Sequence, residues 1–123
     1  MPIPHTRTID PKISQAVRVF LERVSTRFPV RDGILFGSRA RGDARDDSDA
    51  DLAVLLSGPR GTFMQTKLEM ADIAFDTMLD TGVRIQPLPI WDAEWSNPDS
   101  WSNPELLRNV KLSGISVWPA SPN

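Results

Sequence analysis

The stretch LFGSRARGDARDDSDADLAVLL, residues 35–56, constrains this chain more than any other. An apolar run stops at Gly37-Ser38, three arginines and five aspartates follow, and Asp49 and Asp51 lead into a second apolar run. One reading is a charged surface loop joining two buried strands. The other is a site built where two strands end, with phosphate-binding groups on one side and carboxylates on the other.

The residues around this stretch set its frame. Asp10-Pro11 makes an N-cap and first-turn pair. After it Ile13, Ala16, Val17, Phe20, Leu21, Val24 and Phe28 recur at three and four, one face of an amphipathic helix that Pro29 ends. GILF, residues 33–36, and DLAVLL, residues 51–56, read as buried strands, and residues 57–61 as a turn. A second helix is predicted over residues 62–80, with Met64, Leu68, Ala71, Phe75 and Met78 as its buried stripe and Gly82 as its terminator. Residues 83–91 read as a third strand, confined to a sheet edge by Pro87 and Pro89. Residues 92–102 read as loop, and Asn103-Pro104 opens a third helix running to about Lys111. The order predicts an α/β (α+β) fold, a small mixed sheet packed by helices. One domain is expected over residues 1–119, with residues 120–123 as a tail.

Composition narrows the chemistry. The absence of cysteine removes disulfides and thiolate metal sites, and a single histidine, His5, leaves no basis for a histidine cluster. His5 is read as a terminal residue. No apolar run reaches the ~20 residues of a membrane span, and the start lacks a signal-peptide core, so a soluble, cytoplasmic protein is expected. The net charge is only −2, but it is unevenly placed. Residues 1–45 carry nine Lys/Arg against four Asp/Glu, and residues 46–123 carry five against twelve. No nucleic-acid recognition motif accompanies the arginines, so direct nucleic-acid binding is not expected.

The chemistry of the central stretch follows from spacing. Asp49 and Asp51 lie two apart at the start of a strand, so both side chains point one way and Ala50 the other. Two carboxylates on one face repel unless a cation lies between them. Mg²⁺ suits that place, because it takes carboxylate and phosphate oxygens with few protein ligands. At the other end Gly37 permits close approach of backbone to phosphate. The Ser38 hydroxyl and neighbouring N–H groups can hold its oxygens, and Arg39 and Arg41 add charge.

GSRARGDARDDSDADLAV closely resembles the signature of the minimal nucleotidyltransferase (MNT) family, within the DNA polymerase beta-like superfamily: Gly-Ser, ten residues, then Asp-x-Asp. The resemblance implies transfer of a nucleoside monophosphate, usually AMP from ATP, to a hydroxyl, with Mg²⁺ or Mn²⁺ as metal. It implies Asp49 and Asp51 as metal ligands and catalytic residues, joined in catalysis by Ser38 and Arg39. It implies nucleotide contacts from Gly37, Ser38, Arg39 and Arg41. Many short members resemble antitoxins paired with a HEPN-domain toxin, a small helical ribonuclease, so such a toxin is the expected partner. The superfamily usually adds a third carboxylate from a later strand. Here Arg84 and Gln86 stand in that strand, Gln86 at the better-matching position, and an amide is no base. Three readings stay open: a slow transferase using substrate or another carboxylate, Asp76 or Asp80; a nucleotide-binding antitoxin with little chemistry; or a third strand that lies elsewhere than residues 83–91.

The remaining features are the four tryptophans. Trp91, Trp95 and Trp101 fall in an acidic segment and read either as caps on the core or as anchors for a partner; Trp118 stands apart.

Overall fold

The computed structural model of the chain describes residues 9–42, 44–45 and 48–118. His5, Asp43, Asp46, Asp47 and the expected tail lie outside those residues. The elements run α1 (Pro11–Ser25), β1 (Val30–Phe36), α2 (Ser38–Arg41), β2 (Ala50–Leu56), α3 (Phe63–Thr81), β3 (Ile85–Trp91), α4 (Asp92–Ser96), a 3₁₀ turn (Pro98–Ser100), α5 (Pro104–Ser113) and β4 (Ile115–Trp118). The sheet order is β3-β2-β1-β4. β1 is antiparallel to both neighbours, and β3 runs parallel to β2.

Local chemistry explains the helix ends. The Asp10 carboxylate accepts the Lys12 N–H at 2.8 Å, satisfying one of the free donors at the start of α1. Gly82 takes a left-handed conformation (φ 78°) and donates its N–H to the Met78 carbonyl at 2.8 Å, which closes α3. Pro87 and Pro89 are two apart on β3, an edge strand. Their missing donors therefore share one edge, where no ladder is lost.

The sheet divides two cores. On one face Leu52, Val54 and Leu56 pack against Phe20, Leu21 and Val24 of α1 and Met70 and Ile73 of α3. On the other, Ile34, Ala53, Leu55 and Ile90 pack against Leu107 and Val110 of α5. Helices thus cover both faces of a four-stranded mixed sheet, the α/β arrangement expected from the order of elements.

Three details differ from the sequence expectation. The stripe predicted to be buried on α3 faces outward: Met64, Leu68, Ala71 and Phe75 are exposed and Met78 is half-buried. The buried arc is Thr66, Met70, Ile73, Ala74 and Thr77. This helix is apolar on two sides, and the side with smaller residues lets it sit close to α1 and the sheet. The cost of burying Thr77 is offset because its hydroxyl donates to the Ile73 carbonyl at 2.9 Å and accepts from Arg23 at 3.3 Å.

The expected loop at 92–102 contains α4 and the 3₁₀ turn, folded around Glu94. That buried carboxylate accepts the Trp91 N–H at 3.1 Å and pairs with Arg60 at 3.2 Å. Trp91 is buried, while Trp95 and Trp101 pack against the second core, and Lys111 lies 4.7 Å over the Trp95 ring. Finally, β4 adds an edge strand that is only four residues long, too short to give a clear alternation in sequence.

The two sides of α3 make a direct test. Met70→Ala should cost about 2–5 kcal/mol in urea unfolding, the range for truncating a buried large residue. Leu68→Ala should stay within about 0.5 kcal/mol, as for an exposed position. The reverse order would restore the predicted stripe to the core.

Candidate active site

The site lies where β1 ends and β2 begins. Antiparallel pairing sets Phe36 opposite Asp51, so Gly37, the next residue, meets the Asp51 side chain. A Cβ on Gly37 would stand 2.5 Å from Asp51 Oδ2, and Gly37 has φ 75°. Only glycine fits both the conformation and the contact. Ser38 then opens α2, a single turn that Gly42 closes in a left-handed conformation (φ 84°).

Asp49 sits just before β2, held by the neighbouring strand. Ala50 is buried and donates its N–H to the Arg84 carbonyl at 2.8 Å. Asp49 and Asp51, both partly exposed, flank it on the same side, as the period-two argument requires. Gln86 is the register partner of Asp51, yet its amide donates to Asp49 Oδ2 at 2.9 Å. Arg84 stands 3.9 Å from Asp49 Oδ1. The later strand therefore brings an amide and a guanidinium to Asp49 where the superfamily resemblance implies a carboxylate.

Charges respond to this crowding. Burial raises the pKa of Asp51 above the ordinary carboxylate value, the negative charge of Asp49 raises it further, and Arg41 opposes both. Arg41 therefore lies close enough to act on Asp51. Arg39 donates to the Ser48 carbonyl at 3.0 Å, fastening α2 to the residue before Asp49. Ser48 in turn accepts the Arg45 N–H at 2.8 Å. Arg39, Lys12 and Arg84 also line a cavity of about 440 Å³ with Asp10 and Ser48. Nothing in the sequence marks Lys12 for this wall, because it comes from the far end of α1.

The donor set bears on the metal. Asp49 and Asp51 are hard oxygen donors whose mutual repulsion calls for a cation, and they suit one divalent ion shared with phosphate. Among the described residues no group of three His, Cys, Asp or Glu forms that could hold a metal. Asp76 and Asp80 do not make up the number. Both line a depression against α1, where Asp80 pairs with Arg23 at 2.5 Å.

The Asp51 shift has a measurable sign. Its folded pKa is raised, so the stability of the neutral acid is present below the unfolded value of about 4 and is lost as pH rises through the raised value. Without divalent cations, Asp51→Asn should melt higher than wild type at neutral pH. The gap should close as pH falls below the carboxylate range. An equal or lower melting temperature for Asp51→Asn at neutral pH would show that Asp51 is not under charge strain.

No curated protein gives a significant match. A solved structure from Sulfolobus solfataricus, described as a candidate nucleotidyltransferase, is similar to this chain with a TM-score of 0.58 and 19% identity, covering 89% of this chain and 84% of its own. That likeness concerns the fold. The nucleotidyltransferase-domain family model matches residues 17–106, a span that begins in α1, contains Gly37-Ser38, Asp49 and Asp51, and ends in α5. The chain belongs to the nucleotidyltransferase domain family.

Proposed function

We propose that the chain transfers AMP from ATP, with Mg²⁺ or Mn²⁺, to a hydroxyl of a partner protein, and that it acts as the antitoxin of a HEPN-domain toxin. The observation that carries the catalytic part is the meeting of Gly37-Ser38 with Asp49 and Asp51 at adjacent strand ends. Membership of the family supports nucleotidyl transfer in general. ATP, the protein acceptor and the toxin partner come from the resemblance of the 18-residue signature. The acidic second half of the chain suits a partner that carries basic surface for RNA.

In this mechanism Ser38 and Arg41 hold triphosphate oxygens, and Gly37 leaves them room. Arg39 keeps α2 against the start of β2, so the phosphate side and the carboxylate side stay in register. Asp49 and Asp51 would hold the divalent cation, which when bound offsets the triphosphate charge and polarises the reacting phosphoryl group. The acceptor oxygen forms a bond to the α-phosphorus in line with the bond that breaks, and pyrophosphate leaves. The hydroxyl proton goes to solvent, because Gln86 stands where the resemblance implies a third carboxylate, and an amide cannot take a proton; it donates to Asp49 instead. Transfer should therefore be slow.

The same amide favours a second reading. Gln86 and Arg84 both engage Asp49, which suits a domain that binds nucleotide and neutralises its toxin by contact, with little turnover. Two measurements separate the readings. Calorimetry with ATP and Mg²⁺ should show binding that Asp49→Asn with Asp51→Asn removes; unchanged affinity would sink the site. Gln86→Asp should raise labelled-AMP transfer to a co-purified toxin by about 10²–10⁴-fold, the range for a positioned base. If neither form transfers AMP yet both neutralise the toxin, the chain is a binding antitoxin.

A further inference from the structure

The outward side of α3 is apolar where a solvated helix face should be polar. Met64, Leu68, Phe75 and Leu79 are 60%, 60%, 56% and 66% exposed. Among the described residues they account for every exposed large apolar side chain except Leu112. With Ala71 they recur at steps of four, three, four and four, one narrow stripe opposite the buried arc. Nothing in the core needs them there, since Met70, Ile73 and Ala74 fill it from the other side. A stripe this long on an exposed helix is the mark of an interaction surface.

Its two borders differ. Toward α1 the stripe is flanked by Asp72 and Asp76, both exposed and without an ion pair among the described residues. Arg27 lines the depression beside Asp76 without pairing to it, and Arg23 there is committed to Asp80. Toward the edge strand, Phe75, Met78, Ile85 and Pro87 line a groove with Arg84 and Gln86 on its wall. These last two residues engage Asp49. The apolar surface thus runs from the outside of α3 to the candidate active site.

We infer that α3 is the docking face for a partner protein presenting an amphipathic helix with an apolar stripe and a basic flank. The acidic border selects the sign of that flank. It also disfavours a second copy. Antiparallel pairing of two α3 helices about a two-fold axis sets the same border of each side by side, so Asp72 and Asp76 would face one another. A partner seated here lies beside Gln86, where an acceptor hydroxyl must arrive. In placing the acceptor, though not in identifying the surface, the inference rests on the transferase reading.

The test uses two labelled synthetic helices with the same leucine stripe, one flanked by lysine and the other by glutamate. Neither contains serine, threonine or tyrosine, and no nucleotide is added, so the result is independent of transfer. Fluorescence anisotropy with the full chain should show the lysine peptide binding about tenfold tighter than the glutamate peptide. Asp72→Lys with Asp76→Lys should reverse that order. Leu68→Ser with Phe75→Ser should weaken both peptides by about thirtyfold while leaving the melting temperature unchanged or higher, because both side chains are exposed. Equal binding of the two peptides, or no loss in the serine variant, would overturn the inference. So would a self-association in sedimentation that the serine variant abolishes, which would assign the face to a second copy.

Discussion

The contact between Gly37 and Asp51 is the constraint on which the rest of the site depends. Both residues lie at the ends of paired strands, and their side-by-side placement follows from one register, Phe36 opposite Asp51. A shift of one residue would turn Asp51 into the core and bring a buried side chain out. Packing on both faces opposes that shift, because Leu35, Leu52, Val54 and Leu56 fill one core and Ala53 and Leu55 the other, all almost fully buried. The packing of two strands therefore fixes the position of a carboxylate. Glycine at position 37 is what lets the turn pass so close to it.

The rest of the fold serves this junction in two ways. Behind it, cores on both faces of the sheet hold β1 and β2 rigid, as a site with polar groups at strand ends requires. Beside it, β3 brings residues that adjust the charge. Gln86 gives Asp49 a hydrogen bond without giving the site another negative charge, and Arg84 adds a positive one. At Asp51, burial and its neighbour both disfavour the charged form. Two carboxylates separated by one alanine thus sit in different environments. The difference comes from which strand neighbours each and from how much water reaches it.

Much of this was legible in the sequence, and the exceptions have physical causes. Asp10-Pro11, the period of α1 and the glycine at position 82 each encode a local rule, and each appears in the fold. Gly37-Ser38 and Asp49/Asp51 were visible because their chemistry lies within one short stretch. Asp76 and Asp80 are the other carboxylates the sequence offers for a missing third, but helix geometry turns them toward α1. The buried face of α3 is not legible in the sequence because periodicity reports that a helix has an apolar side, not which of two such sides meets the core. The threonines that mark the true buried face look polar until their hydroxyls find partners. Lys12 and Arg84 joined the cationic wall only through tertiary folding, which no short motif records.

In the proposed function a nucleotide-bound divalent cation sits between the end of β1 and the start of β2. Paramagnetic broadening by Mn²⁺ reports that position. Titrating Mn²⁺ with a non-hydrolysable ATP analogue into isotope-labelled protein should selectively broaden the amide resonances of Gly37, Ser38, Ala50 and Gln86. Resonances at the opposite end of the sheet, such as Val30, Leu56 and Trp91, should broaden least. Broadening centred on any other part of the chain, with the Gly37 and Ala50 signals intact, would place the metal elsewhere and rule out this site.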